Sequence, residues 1–363
     1  MASSPSPVIV PLQALRFAAA LLVTLGHLRH GAGQLFPDFG GGPVNAHVYA
    51  AGVDVFFVIS GFIIYNACHA DFGRPGVAGR FLLRRLVRIA PLYWLFTALF
   101  VSATGLTSGR WPEASHLLGS LLFLPTLNAQ QQPLPVYSLG WTLNFEMLFY
   151  ALVTLALLLP RRIGPAALVL AVLALAGSGL AWAPQALPWR LWAQPIVLEF
   201  LFGLLIAHWR LQGGRVGARG AALLLGAGVA GVLLGSQMGE ASPLWSGRSL
   251  WMGLPAVLIV AACAGLRPAP DGHAPGWRLA VLGGDASYAL YLVHPFVIGA
   301  AERVGVHGQA LGPLGFMALT LAATLGLALL AHRHLEQPLL RWLNARLLPR
   351  PAAPPTRIAF KGE

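Results

Sequence analysis

The sequence predicts an all-α polytopic membrane protein of about ten transmembrane helices, with one short re-entrant or interfacial segment and both termini cytoplasmic. Three observations carry this. Of 363 residues, 56% are hydrophobic and only 10% are charged, with a mean hydropathy of +0.68. A soluble domain carries roughly 25% charged residues, because its surface must stay wet. The apolar residues also come in runs near the length, about 20 residues, that carries a helix across roughly 30 Å of hydrocarbon. Finally, the basic residues alternate between dense and sparse loops, which sets an orientation.

The runs are 8–28, 48–67, 89–107, 141–159, 165–183, 193–209, 219–238, 249–266, 284–302 and 313–331. Gly and Pro punctuate the junctions, as in Pro160-Arg161-Arg162-Ile163-Gly164-Pro165. Helices satisfy their own backbone in lipid, which an open sheet cannot do. The stretch 117–127 is too short to cross. With it left out of the count, 18 of the 24 Lys and Arg fall on the cytoplasmic side, five (Arg29, Arg110, Arg190, Arg248 and Arg303) fall outside, and Arg16 lies within the first span. Counting 117–127 as a span would put every later basic loop outside, against the positive-inside rule. The net charge of +12 therefore reads as an orientation signal, not a nucleic-acid footprint. The first run lacks a basic n-region and contains Arg16, so it is not a cleavable signal peptide. Cys68 and Cys263 are isolated and form no disulfide framework. No internal repeat points to a transporter built from inverted halves.

Ionisable residues inside spans are costly and are functional candidates by default. Here they are Arg16, His27, Asp54, Glu146, Glu199 and His294, with Asp285, Glu302 and Glu336 at span ends. Arg16 and His27 are eleven residues apart, so they share a helix face at a separation of roughly 16 Å. Helix rise places His27, Asp54, Glu146 and Glu199 in the outer third of four helices, a pattern that predicts an outward-facing polar cavity. The bland alternatives are helix-to-helix glue for each carboxylate, an ion-pair role for Arg16, and simple hydration for His27. In RFLLRRLVRIAPLYW (80–94), Arg80, Arg84 and Arg88 repeat every four residues as a stripe at the cytoplasmic end, flanked by Arg85. The stripe suits anionic lipid or a phosphorylated ligand, and equally a positive-inside anchor. His332, His334 and Glu336 have metal-like spacing, but at a basic helix end no metal is expected there.

Several motifs together resemble the integral-membrane acyltransferase 3 family over residues 10–340. They are LRFAAALLVTLGH with Arg16 and His27, GVDVFFVISGF (52–62) with Asp54, Ser60 and Gly61, RRLVRIAPLYW (84–94), and GWTLNFEMLFY (140–150) with Trp141, Glu146 and Tyr150. ASYALYLVHPF (286–296) and LEQP (335–338) add support. In the fourth motif Thr142 stands where the family usually has Ser, and GWTLNFEM is similar to the exopolysaccharide-acetylating branch. The resemblance implies transfer of an acyl group, acetyl in most members, from cytosolic acetyl-CoA to a hydroxyl of an extracytoplasmic glycan or lipid-linked saccharide, such as exopolysaccharide, O-antigen or lipopolysaccharide. It implies a bacterial inner (cytoplasmic) membrane location, acyl-CoA, the acceptor glycan and the lipid bilayer as partners, and no metal or nucleic acid. His27 is the expected general base, with Asp54 or Glu146 orienting it. Arg84, Arg85 and Arg88 are expected to draw in the CoA phosphates, and Arg16 to meet the donor within the membrane. Tyr150, Tyr288 and Trp141 are expected to pack or line the cavity. Whether transfer is direct or relayed through an acyl-protein intermediate, with Ser60 as a conceivable carrier, stays open at this level. Residues 1–348 are expected to form a single transmembrane acyltransferase domain. A disordered cytoplasmic tail is expected at 349–363, with no secreted hydrolase-like domain. The rival reading is a secondary transporter or glycan-export component.

Overall fold

The computed structural model describes residues 9–39, 45–238, 247–270, 272, 274–305 and 312–348. The glycine run at 40–42 and the segment 349–363 lie outside the described residues.

Among the described residues the regular structure is helical, with turns and loops between, the longest at 122–139. The β-structure is one isolated bridge between Val216 and Leu266. In order, the helices are α1 (Val10–Leu35), α2 (Ala46–Cys68), α3 (Val77–Ser108), α4 (Ala114–Leu121), α5 (Gly140–Leu157), α6 (Gly164–Trp182) and α7 (Trp189–Trp192). They continue with α8 (Leu198–Leu211), α9 (Ala218–Gly235), α10 (Leu254–Gly265), α11 (Pro275–Asp285), α12 (Ser287–Gly305), α13 (Gly312–Ala331) and α14 (Gln337–Leu347). π-helical turns at Ser249–Gly253 and His332–Glu336 precede α10 and α14.

Every apolar run is helical, but not every run is a full-length helix. Among the described residues seven helices are long and apolar enough to cross a bilayer, or eight if α11 and α12, bent by 68° at their junction, are taken as one span. The expected count of ten is not reached by helix length. Pro195 interrupts the run at 193–209, because proline removes a backbone donor and cannot continue a preceding helix. What remains is the 14-residue α8. The π turn likewise shortens the regular helix in the run at 249–266. The stretch 117–127 contributes only part of the eight-residue α4, which ends in a turn at Phe123 (φ 58°).

The centre of the bundle is α2, whose best apolar window is 67% buried against 22–56% for the other spans. Its small residues let neighbouring backbones close in, as small-residue stripes do between membrane helices. A Cβ on Gly61 would strike the Phe200 carbonyl of α8, and one on Gly203 of α8 would strike the Val58 carbonyl and the Phe62 amide of α2. On the other side, Gly52 lies against Ala19 and Val23, while Gly26 lies against Tyr49, so α1 and α2 run antiparallel. These backbone contacts fix the heights at which Arg16, His27 and Asp54 enter the bundle.

A Gly203→Val substitution forces two backbones apart. It is expected to cost about 1–3 kcal/mol or more, the range for overpacking, read as a lower unfolding temperature in detergent. Gly226→Val on α9, where an added Cβ meets nothing within 4 Å, is the matched control and should unfold near the parent temperature.

Candidate active site

The polar groups of the bundle fall into three assemblies. The largest is a cavity of about 410 Å³ enclosed by α1, α2, α3, α5 and the α11–α12 junction. It gathers Arg16, Arg85, Arg88, Glu146, Asp285 and Ser60 on one surface, beside Tyr150, Tyr288 and Tyr291. The first turns of α1 present Gln13 and Arg16, three residues apart and therefore on one face. Arg16 Nη1 donates to Gln13 Oε1 (2.9 Å), and Gln13 Nε2 donates to Asp285 Oδ1 (3.0 Å). The close approach is possible because Gly284 leaves room for the Gln13 backbone and Gly283 for the Phe17 ring.

Glu146 is held by two donors. Tyr150, one turn along α5, and Ser60 of α2 (3.2 Å) both donate to its Oε1. On α3, Arg85 lies over the rings of Phe81 (5.5 Å) and Tyr150 (5.9 Å), a favourable placement for a planar cation. Arg85 and Arg88 face the cavity and are half-buried, whereas Arg80 and Arg84 are exposed. The four-residue stripe is thus divided, and the pair that shares a surface with Arg16 is the i, i+3 pair. Among the described residues, Arg16, Arg85 and Arg88 form no ion pair; the three ion pairs present involve Arg74, Arg248 and His332. The cavity also receives the start of α12 at Ser287, whose helix dipole adds partial positive charge at that wall. Tyr288 is fixed there by donating to the Ile89 carbonyl (2.8 Å).

The second assembly holds Asp54 and Glu199, both fully buried. Asp54 receives a two-pronged contact from Arg248, Nε to Oδ1 at 2.9 Å and Nη2 to Oδ2 at 2.7 Å, and Nη2 also donates to the Ala50 carbonyl (3.1 Å). Such fork-to-carboxylate geometry is the strong form of the ion pair. Ser249 Oγ lies 3.5 Å from Glu199 Oε1, and Gly253 makes space for that carboxyl. The Arg248 guanidinium lies over the Trp141 ring at 6.0 Å. From the sequence Arg248 is expected in an outer loop as one of the five outside charges. It is only 3% exposed, because the π turn that follows it starts inside the bundle. The signal that points to it is the need of a buried carboxylate for a cation, with Arg248 adjoining the span at 249–266.

The third assembly is a pair of imidazoles. The rings of His27 and His294 lie 4.9 Å apart. His27 Nδ1 donates to the Val23 carbonyl (3.0 Å), and His294 Nδ1 donates to the Leu290 carbonyl (3.2 Å). A carbonyl only accepts, so each ring carries its proton on Nδ1 and presents Nε2 as a lone pair. His27 is solvent- or lipid-accessible, while His294 is fully buried. The outer-third grouping of His27, Asp54, Glu146 and Glu199 is therefore not found as one cavity. Glu146 lies with the arginines, Asp54 and Glu199 share Arg248, and the orienting group on His27 is a backbone carbonyl where a carboxylate was expected. The reason is helix rotation about the axis, which depth along a helix does not reveal. His332 Nδ1 pairs with Glu336 (2.7 Å) and its Nε2 accepts from Gln337 Nε2, while His334 is exposed, so the metal-like trio is not gathered.

The bundle thus holds an arginine-lined cavity within apolar helices, with an imidazole further along the same first helix. The model of the acyltransferase 3 family, described as an acyltransferase domain, matches residues 10–333, and the chain belongs to that family. It is 35% identical over 308 residues to the exopolysaccharide production protein ExoZ of Rhizobium meliloti (strain 1021), covering 82% of this chain and 91% of that protein. No solved structure matches it.

Removing the cation from the second assembly leaves the buried Asp54 carboxylate without its partner. Arg248→Met is expected to lower stability by about 3–5 kcal/mol, read by thermal unfolding in detergent. The double variant Asp54→Asn/Arg248→Met should recover part of that loss, because it removes the orphaned charge as well.

Proposed function

We propose that this chain transfers an acyl group, acetyl in the first instance, from acyl-CoA to a hydroxyl of an extracytoplasmic glycan, exopolysaccharide or O-antigen. The observation that carries the reading is the cavity with three guanidinium groups, none of them in an ion pair among the described residues. Three half-buried guanidinium groups, outnumbering the two carboxylates Glu146 and Asp285 on the same surface and ion-paired to neither, leave an excess of positive charge that favours an anionic ligand. The phosphates of CoA supply one, and guanidinium is the side chain best matched to phosphate. Arg85 and Arg88 receive the phosphorylated end of the donor. Arg84, exposed outside the cavity, contributes to the field that draws the donor in. Arg16, deeper along α1, meets the acyl end. Sidedness follows from the basic loops: the arginine end faces the cytoplasm and His27 faces the outside of a bacterial inner membrane.

At the far end His27, with Nδ1 occupied by Val23, offers Nε2 to the acceptor hydroxyl as general base. Glu146, fixed by Tyr150 and Ser60, acts at the cavity wall by balancing Arg16 and Arg88 and admitting only part of the ligand's negative charge. Asp54, committed to Arg248, holds α2 to the segment that leads into α10 and so shapes the cavity from behind. The exopolysaccharide acceptor is supported by the name of the Rhizobium relative.

The test uses purified protein in lipid nanodiscs, labelled acetyl-CoA and candidate glycans. Wild-type protein should label the glycan. His27→Ala at equal abundance should lose about 100-fold or more of the rate, the usual range for removing a general base. Arg88→Glu should raise the apparent KM for acetyl-CoA at least tenfold. Undiminished labelling by His27→Ala, or an Arg88→Glu effect confined to protein abundance, would overturn the assignment. Glycan translocation without labelling would favour the transporter reading.

A further inference from the structure

Among the described residues, His294 is the imidazole left with a buried, unpartnered nitrogen. Among the described residues its Nε2 is buried and has no hydrogen-bond partner, although Nδ1 is held by Leu290. A buried acceptor left alone costs about 1–3 kcal/mol, so its retention calls for a use.

Its position indicates the use. Tyr288, Tyr291 and His294 follow one another at three-residue intervals on α12, each step rising about 4.5 Å. Tyr288 and Tyr291 line the arginine cavity. His294 stands one turn beyond them, its ring 5.9 Å from Tyr291 and 4.9 Å from His27. Tyr291 is itself immobilised, donating to the Leu139 carbonyl (3.1 Å) with Thr142 Oγ1 at 3.0 Å. The order from the accessible end inward is therefore His27, His294, Tyr291, cavity.

Resting on the acyl-transfer reading above, we infer that His294 is a second catalytic imidazole, which takes the acceptor's proton from His27 and returns it to the leaving thiolate of the donor. The acceptor O–H bond breaks, its proton goes to Nε2 of His27, and the oxygen forms the new C–O bond at the acyl carbon. The C–S bond breaks with its electron pair on sulfur. The proton moves from His27 to Nε2 of His294 and from there to the thiolate, giving the ester and a free thiol. No oxidant, metal or further reactant enters the balance. His27 is returned to its neutral form with Nδ1 still on Val23, ready for the next acceptor.

The leaving group tests this. His294→Asn and wild-type protein in nanodiscs are compared with two small acetyl donors, S-acetyl pantetheine and S-acetyl thiophenol, at a fixed glycan concentration, following ester formation. Thiophenolate is by far the weaker base and leaves without being protonated. His294→Asn is expected to cut kcat with the pantetheine donor about 100-fold, a typical loss for a proton-transferring group, with KM within about twofold. With the thiophenol donor the loss should shrink to less than about tenfold. A purely structural role would slow both donors by the same factor, and no role would slow neither; either result overturns the assignment. His294→Gln is the second variant, and unfolding temperatures of both identify a folding defect. Wild-type protein that acetylates nothing from either donor or from acetyl-CoA overturns the acyl-transfer reading itself, whereas an active wild type matched by His294→Asn overturns only the role of His294.

Discussion

Positive charge held inside an apolar bundle is the constraint on which this structure turns. A guanidinium group away from water costs several kcal/mol unless something answers it. The protein meets this demand in two different ways. Arg248 is answered internally, by both oxygens of Asp54 and the Ala50 carbonyl, and lies over Trp141. Arg16, Arg85 and Arg88 are answered only in part, by the amide of Gln13 and by aromatic faces around a cavity. The first solution clamps α2 to the start of the π turn before α10; the second leaves an electrostatic demand that an anionic ligand can satisfy.

Backbone contact makes both solutions possible. Gly61 and Gly203 let α2 and α8 meet without intervening side chains, and Gly52 does the same between α2 and α1. With α2 fixed on two sides, Ser60 reaches Glu146 and Asp54 reaches Arg248 from the same helix. The break at Ala286 then turns α12 away from α11, bringing Ser287, Tyr288 and Tyr291 to the cavity wall and His294 to His27. A straight helix through 275–305 would present those residues elsewhere. Broken helices whose ends face a polar site are a recurring device for handling charged ligands at membrane depth.

The fold was legible in the sequence because lipid leaves so few alternatives. Apolar runs must be helices, and each of the ten runs is helical. Their full lengths were less legible: the proline at 195, and the π turn at 249–253, shorten two of them in ways that hydropathy does not register. The shared face of Arg16 and His27 also followed from spacing alone, since both lie on one unbroken helix.

What lies across helices was a different matter. Depth along a span could be counted, and on that count His27, Asp54, Glu146 and Glu199 fell together, yet they belong to three separate assemblies. Arg248 looked like a loop charge and proved to be a core residue. The sequence by itself determined which residues are too polar for lipid and roughly how deep each one sits, because hydropathy and helical rise are local properties. Only the tertiary structure decided which of them meet, because that depends on how each helix is rotated about its own axis, and rotation is set by packing against neighbours distant in the chain.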